Sequence, residues 1–441
     1  MKQRIVDAAL ALQRRNFRKA AWALAALLAL ASRRGDDALR LLARLATENG
    51  DLERARAICA ELLEKCPDDE SALVVLGKLS LAAGDTQRAL ACFERHARLT
   101  VGPRAVTRLY RQQHLDLERA QRGAPYYRAL EGVFVDTAYW SIMTDSGILY
   151  ARDVHGRNMA NSPWVQGRIS SDGEYAVASY AEPQVTVPEA CILVGGDENY
   201  SHWLFRNLLK LVALEADGLV DALPWLLNRD LTSWQIAYLE MLGVEVDRRV
   251  LVERGQVIRC RKLVTPALLT NPAAIAAGIE WIQRRLAAHR VPAASANALL
   301  YVSRADARVR HVLNENELLE RLKPLGFRVV MPGRLSVADQ IREFSAARAV
   351  VAVHGAGLTN IVFTPPQAAI VEINSSLLAR MDDFRRIARA RRQHMATVVS
   401  DRYSGARDAI HVNSDYYVDV DEVVREVERC LQSGTATRRA S

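Results

Sequence analysis

Cysteine is scarce in this chain: six in 441 residues, at 59, 66, 92, 191, 260 and 430, with no CxxC pair and no Cys/His cluster at zinc spacing. That excludes a disulfide framework and a structural zinc site, and it predicts buried thiols in a reducing compartment. Glycine and proline, 23 and 14 residues, are too few for a fibrous or low-complexity chain. No hydrophobic run is long. The longest, Ala20 to Ala31, has twelve residues, against about 20 for a membrane-spanning helix. Nor is charge strongly one-sided: 59 basic and 51 acidic residues leave +8, which suits an anionic partner without choosing among nucleotide, acidic lipid and nucleic acid. What remains is half apolar and one quarter charged, the make-up of a globular chain of roughly two to four domains.

The first hundred residues repeat. Asn16-Phe17-Arg18-Lys19-Ala20-Ala21, Gly50-Asp51-Leu52-Glu53-Arg54-Ala55 and Gly84-Asp85-Thr86-Gln87-Arg88-Ala89 are similar turns spaced 34 residues apart. Apolar helical patterns lie between them, and small residues recur at Ala21, Ala55 and Ala89, where helices must approach closely. This resembles the tetratricopeptide repeat. The resemblance implies a short solenoid over residues 1–105 whose concave face takes a protein partner; a helical cap on the next domain is the alternative. The register also claims the Ala-rich run, whose basic leader and Ala29-Leu30-Ala31 are otherwise those of a signal peptide.

After about residue 115 the texture changes to an α/β alternation. Gly132 to Tyr150 reads as a hairpin region. Cys191–Val194, Leu223–Leu227 and Arg249–Val252 read as strands, with a helix from Tyr200 to Glu215. A linker at Pro292–Ala298 precedes a second series: strands at Leu299–Val302, Phe327–Met331, Ala349–Val353 and Ala369–Ile373, each followed by a helix. Asn314 with Glu317 predicts an N-cap. The expected fold is two Rossmann-like lobes, residues 115–295 and 296–431, each with a parallel sheet, and a frayed tail at 432–441.

Three stretches carry chemistry. Val350–Asn360 is a strand running into the glycine turn His354-Gly355-Ala356-Gly357 and a helix, a setting in which backbone N–H groups reach a phosphate. Asn360 stands where a dinucleotide fingerprint has its third glycine, which counts against NAD. Ser303–His311 places Arg304 and Arg310 after a strand, suited to clamping a diphosphate; a solvated basic loop is the plain alternative. Asp197–Leu204 precedes a helix on which His202, Arg206 and Lys210 share one face at i, i+4 and i+8.

Together these stretches resemble glycosyltransferase family 61: Asn199-Tyr200-x-His202-Trp203-Leu204, then Tyr301-Val302-Ser303-Arg304 with Asn314-Glu315, then His354-Gly355-Ala356-Gly357-Leu358-Thr359-Asn360, with Asp415–Asp419 before the last helix. The resemblance covers about residues 120–430. It implies a GT-B-type inverting transferase, acceptor on the first lobe and nucleotide-sugar donor on the second, of the kind found in bacterial surface polysaccharide synthesis. The cytoplasm, with contact to the inner face of the membrane, is the expected location, and a glycan or lipid-linked molecule the expected acceptor.

The substrate-binding positions expected on this basis are Asn199, Tyr200, Arg206, Asn314, Glu315, His354, Ala356 and Asn360, besides Arg304, Arg310, Gly355 and Gly357 on the donor diphosphate. Glu372, at the end of the next strand, is expected on the ribose. His202 is the expected general base, held basic by Arg206 and Lys210, with Asp197 and Glu198 as alternatives. No cofactor or divalent metal is expected; Asp419-Val420-Asp421 more simply begins a helix. Two rival readings are an NAD-dependent oxidoreductase and a repeat scaffold with an inactive transferase domain.

Overall fold

The computed structural model describes residues 35–113, 115, 124–150, 165–168, 175–404 and 410–439. The first repeat turn and the Ala-rich run lie outside them. The chain divides into two compact units: residues up to 115 with 130–189 and 254–262, and residues 116–129, 190–253 and 263–441.

Among the described residues the first unit begins with four helices: Asp36–Glu48 (α1), Leu52–Lys65 (α2), Glu70–Ala82 (α3) and Thr86–Thr100 (α4). The repeated Gly-Asp has a clear physical cause. Gly50 and Gly84 take left-handed φ of 78° and 79°, closing one helix at low steric cost. Asp51 and Asp85 then cap the next, accepting from the Arg54 and Arg88 amides. Gly77 lets the Phe93 ring lie against the α3 backbone, where a Cβ would meet the ring at 2.8 Å.

Strands Ala105–Gln112 (β1), Tyr127–Asp136 (β2), Ser141–Met143 (β3), Ile148–Tyr150 (β4), Val165–Arg168 (β5) and Tyr175–Ala181 (β6) follow, in the sheet order β5-β6-β1-β4-β3-β2. β1 runs antiparallel to β6 and parallel to β4, so this layer is mixed rather than all-parallel. The helices are not set apart from it at residue 105. Leu81, Ala89 and Phe93 share a buried cluster with Val177 of β6, because the α3–α4 pair leaves an apolar face that the sheet covers.

The second unit takes up Thr186–Gly195 (β7) from Ala190 on; β7, Trp225–Asn228 (β8) and Arg249–Val252 (β9) are parallel, with a helix, Ser233–Met241 (α5), between the last two. Val257–Pro266 (β10), in this unit from Leu263 on, leads to Pro272–Arg285 (α6). Then come Ala298–Val302 (β11), Phe327–Val330 (β12), Ala347–Val353 (β13), Ala369–Ser375 (β14) and Met395–Ser400 (β15), a wholly parallel sheet in the order β12-β11-β13-β14-β15. Helices Glu315–Leu322 (α7), Val337–Ser345 (α8), Asp383–Ala390 (α9) and Val420–Arg439 (α10) accompany it.

β13 and β14 are apolar almost throughout because both faces are covered. Val350 and Ala352 face one core cluster, Val351 and Val353 the other, as strand alternation requires. The first cluster also contains Trp203, Leu204, Trp225 and Ile279. Both α/β halves of this unit therefore share one core, and no boundary between compact units falls at residue 295.

None of the six cysteines is in a disulfide; Cys59, Cys92, Cys191, Cys260 and Cys430 are buried and Cys66 half-buried. Burial pushes the Cys59 thiol up to about 12 and Cys430 to about 11. No described helix is long and apolar enough to cross a membrane.

Candidate active site

β13 ends at Val353, and the Nδ1 of the next residue, His354, lies 2.7 Å from Glu372 Oε1 on neighbouring β14. Both side chains are buried, and the Thr397 hydroxyl donates to the second Glu372 oxygen at 3.1 Å. Glu372 thus does not stand free for a ribose. Its two oxygens anchor His354 and β15 and fix the strand end from which the glycine turn departs. Gly355 is extended, φ 169° and ψ 174°, so its backbone would suit any residue. What it provides is room: a Cβ there would lie 2.9 Å from Arg304 Cζ and overlap the guanidinium. Gly357 is similar, its Cβ meeting Pro332 Cγ at 3.1 Å. The segment beyond, Ala356–Val362, is a seven-residue 3-10 turn rather than the expected α-helix.

Positive charge at this turn comes from side chains. Arg304 follows β11, and one of its terminal nitrogens donates to the Val309 carbonyl at 3.0 Å. Arg310 holds a left-handed φ of 62°, a conformation that costs energy in a residue with a Cβ. The loop between them is tied down by His311, whose ring reaches Asp415 at 3.1 Å and the Ala307 carbonyl at 2.9 Å. Neither guanidinium makes an ion pair among the described residues, and the Nε of each is buried without a hydrogen-bond partner. Burial lowers the pKa of both, and the Arg310 charge lowers that of Arg304 further. Two half-buried cations near each other have lost hydration, and the charge of Arg310 opposes Arg304 while Asp306, which lines the same cavity as Arg304, acts in its favour. Tyr416 is the third member of this cluster, its phenol pushed up by burial although both arginines act against that.

The other half contributes the turn before His202. Asp197 Oδ1 accepts the Asn199 amide, and Asn199 Oδ1 accepts the Ser201 and His202 amides, so Asn199 starts a helix. That helix is π-wound over His202–Leu208 and 3-10 over Leu209–Leu214, with bonding that differs from the expected α-helix. The expected polar face is therefore broken. Arg206 pairs with Asp383 at 3.2 Å. Lys210 is fully buried, its ammonium pushed down to about 7 by burial.

The group beside His202 is instead Asp197, with Oδ2 3.0 Å from Nδ1. Asp197 is buried while the His202 side chain is 29% exposed. With Nδ1–H donated to the carboxylate, Nε2 carries the free lone pair. Glu198 is exposed.

Tyr200 joins the two halves of the unit: its hydroxyl donates to Asn360 Oδ1 at 2.6 Å and lies 2.8 Å from the Tyr238 hydroxyl. Asn360 in turn donates to Gln340 Oε1 at 2.9 Å. The tyrosine of one motif and the asparagine of another are thus bonded partners. Asn314 and Glu315 are structural: Asn314 bonds both backbone groups of Val418 rather than capping its own helix, and Glu315 accepts the Tyr301 hydroxyl. Asp419 and Asp421 are also engaged, with the Glu422 amide and Arg321.

A cavity of about 360 Å3 has Tyr200, Trp234, Arg304, Gln340, Ala356 and Gly357 in its wall, whereas His202, Arg310 and Gly355 are not among its lining residues. Residues 200–371 match the Glycosyltransferase 61 family model. Residues 36–79 match that of the tetratricopeptide repeat. No curated protein matches the chain. The matched region thus runs from Tyr200 through the glycine turn to β14 and contains the whole cavity wall. Ser233 and Trp234 in that wall were not singled out by sequence. Their signal was Thr232-x-x-Gln235, a capping box realised at the start of α5, which presents Trp234 edge-on to Tyr200 with ring centroids 5.5 Å apart.

Proposed function

We propose that the chain is an inverting glycosyltransferase of GT-B type that uses a nucleotide-sugar donor. The observation that carries this is the pair of partly desolvated guanidiniums, Arg304 and Arg310, against a glycine turn inside the region that matches a glycosyltransferase family. A leaving nucleoside diphosphate supplies an anion for such a pair. The donor diphosphate lies along Arg304, Arg310 and Gly355–Gly357, and the acceptor approaches from the Tyr200–His202 side.

In the transfer, the acceptor hydroxyl oxygen forms a bond to the anomeric carbon from the face opposite the leaving group. Its proton passes to His202 Nε2. The bond between that carbon and the diphosphate oxygen breaks, and the electron pair leaves on the diphosphate, stabilised by the two arginines. Asp197 holds Nδ1–H and supports the imidazolium that forms. His354, bonded to Glu372, positions the turn rather than touching substrate. Charge supplied by two arginines makes a divalent metal unnecessary, so activity should survive chelation.

The reading extends to a glycan or lipid-linked acceptor of bacterial surface polysaccharide synthesis on the cytoplasmic side of the membrane, with a protein partner on the helical repeats. Thermal shift and calorimetry with a nucleotide-sugar panel plus NAD+ test it, followed by NMR of the product anomer. Binding of one nucleotide sugar and inversion at the anomeric carbon are expected. Preferential NAD+ binding, or retention, would overturn it.

A further inference from the structure

A second cavity, of about 660 Å3, lies between α6 and α9 and shares no lining residue with the first. Its two sides differ in chemistry. From α6 come Pro272, Ala273, Ala276 and Ala277, small and apolar, recurring at helical spacing on one face. From the end of α9 and the turn after it come Arg389, Arg391 and Arg392, faced by one carboxylate, Glu280. Three guanidiniums against one carboxylate leave a surplus of two positive charges.

Several other arginines of the unit are paired. Arg206 has Asp383, and Arg285 has both Glu215 and Asp221. None of the three cavity arginines makes an ion pair among the described residues. Arg391 is half-buried, donates to the Thr364 carbonyl, and leaves its Nε buried with no partner. The charge of Arg290, itself desolvated with an unpartnered Nε, opposes it. Arg391 is partly desolvated with Glu280 as the one carboxylate acting on it, while Arg389 and Arg392 are exposed; a partly desolvated cation is costly unless something completes it.

We propose that this cavity is a second anion-binding site, taking a phosphate or diphosphate group borne on a short apolar stem. Guanidinium groups on one wall match a multi-oxygen dianion through paired N–H donors, which a single carboxylate would not satisfy. The alanine face opposite offers no hydrogen-bond donor beyond its backbone and suits the stem. The volume is that of a small-molecule site. The same chemistry is offered by a soluble phosphorylated molecule and by a lipid phosphate headgroup.

The test uses the full chain in an Arg304→Ala background, which removes the arginine proposed to hold the donor. Inorganic pyrophosphate is titrated by calorimetry, and flotation is measured with phosphatidylcholine vesicles with and without phosphatidic acid. Variants are Arg389→Gln/Arg392→Gln, which removes exposed charge without touching the Thr364 bond, and Ala276→Trp, which fills the cavity without changing charge. Arg44→Gln/Arg95→Gln, on the helical repeats, is the charge-matched control. Melting temperatures equal to that of the background verify folding.

Binding of pyrophosphate, of phosphatidic acid vesicles or of both is expected, weakened about tenfold or more by either cavity variant and unchanged by the control. Pyrophosphate alone identifies a soluble ligand; vesicle binding identifies a lipid headgroup. No binding by either probe overturns the proposal. So does equal weakening by the control, which signals diffuse charge, or an Ala276→Trp variant that binds like the background. Since the site shares no residue with the donor cavity, loss of either proposal leaves the other standing.

Discussion

Gly355→Ala probes the proposed anion cradle without changing its charge. The backbone at Gly355 is extended and accepts alanine, but the new methyl would lie where the Arg304 guanidinium now packs, 2.9 Å from Cζ. Arg304 must then swing away from the cavity and give up its bond to the Val309 carbonyl. If the guanidinium holds the donor diphosphate, the variant loses one charge-assisted interaction, about 1.5–3 kcal/mol, or about 10- to 150-fold in Kd. Arg304→Ala should lose the same amount. Both act through one side chain, so the double variant should bind no more weakly than Arg304→Ala alone, giving a coupling energy as large as the single effect. Removing a half-buried cation that makes no ion pair among the described residues should not lower the unfolding midpoint of Arg304→Ala. Calorimetric titration of the bound nucleotide sugar against the four proteins reads the cycle. Parent-like binding by Gly355→Ala, or two losses that simply add, would refute the reasoning.

Three further outcomes are expected. His202→Ala and Asp197→Asn should each slow turnover, His202→Ala by about 10²–10⁴-fold, with donor affinity within a few-fold of the parent; parent-like turnover in His202→Ala would move the base to a carboxylate. Tyr200→Phe leaves Asn360 Oδ1 buried without the hydroxyl it accepts and should cost about 1–3 kcal/mol in urea denaturation; an unchanged midpoint argues against the link. Burial pushes Lys210 from 10.5 to about 7, so between those pH values the unfolded chain binds a proton that the native one does not, and this group makes stability rise with pH there and adds no slope below. Lys210→Met should therefore gain more stability over the parent at pH 7 than at pH 9.5, measured by denaturant titration; an equal gain at both would show that Lys210 is not the source.

Much of the site was legible because its parts are short-range in sequence. The glycine turn, Arg304 and the Asn199–His202 cluster each sit at a strand end, and strand ends follow from apolar runs. What was not legible depends on winding and on distant partners. The face shared by His202, Arg206 and Lys210 assumed i→i+4 bonding. The π turn at His202–Leu208 shifts each later side chain, so Arg206 reaches Asp383 and Lys210 enters the core. Asn314 and Glu317 have the spacing of a cap, yet Val418, 104 residues away, competes for the Asn314 amide. Glu372 was expected at a strand end but lies in the middle of β14, where His354, just past the adjacent strand, claims it, a pairing visible only once register is known. The repeat turns at Gly50-Asp51 and Gly84-Asp85 were legible because their cause is local, a left-handed glycine followed by a capping aspartate.

The distribution of thiols turns the chain into its own set of clocks. Five of the six are shielded and none is in a disulfide, and a thiol reacts only as the exposed thiolate. An alkylating reagent therefore reaches Cys59 and Cys92 only when the helical hairpins part, Cys191 only when β7 is uncovered, and Cys430 only when the last helix lifts. Mass spectrometry of the alkylated positions over time would then read the opening free energy of each element separately. A ligand that seals one cavity would slow only the clocks whose covering it holds shut.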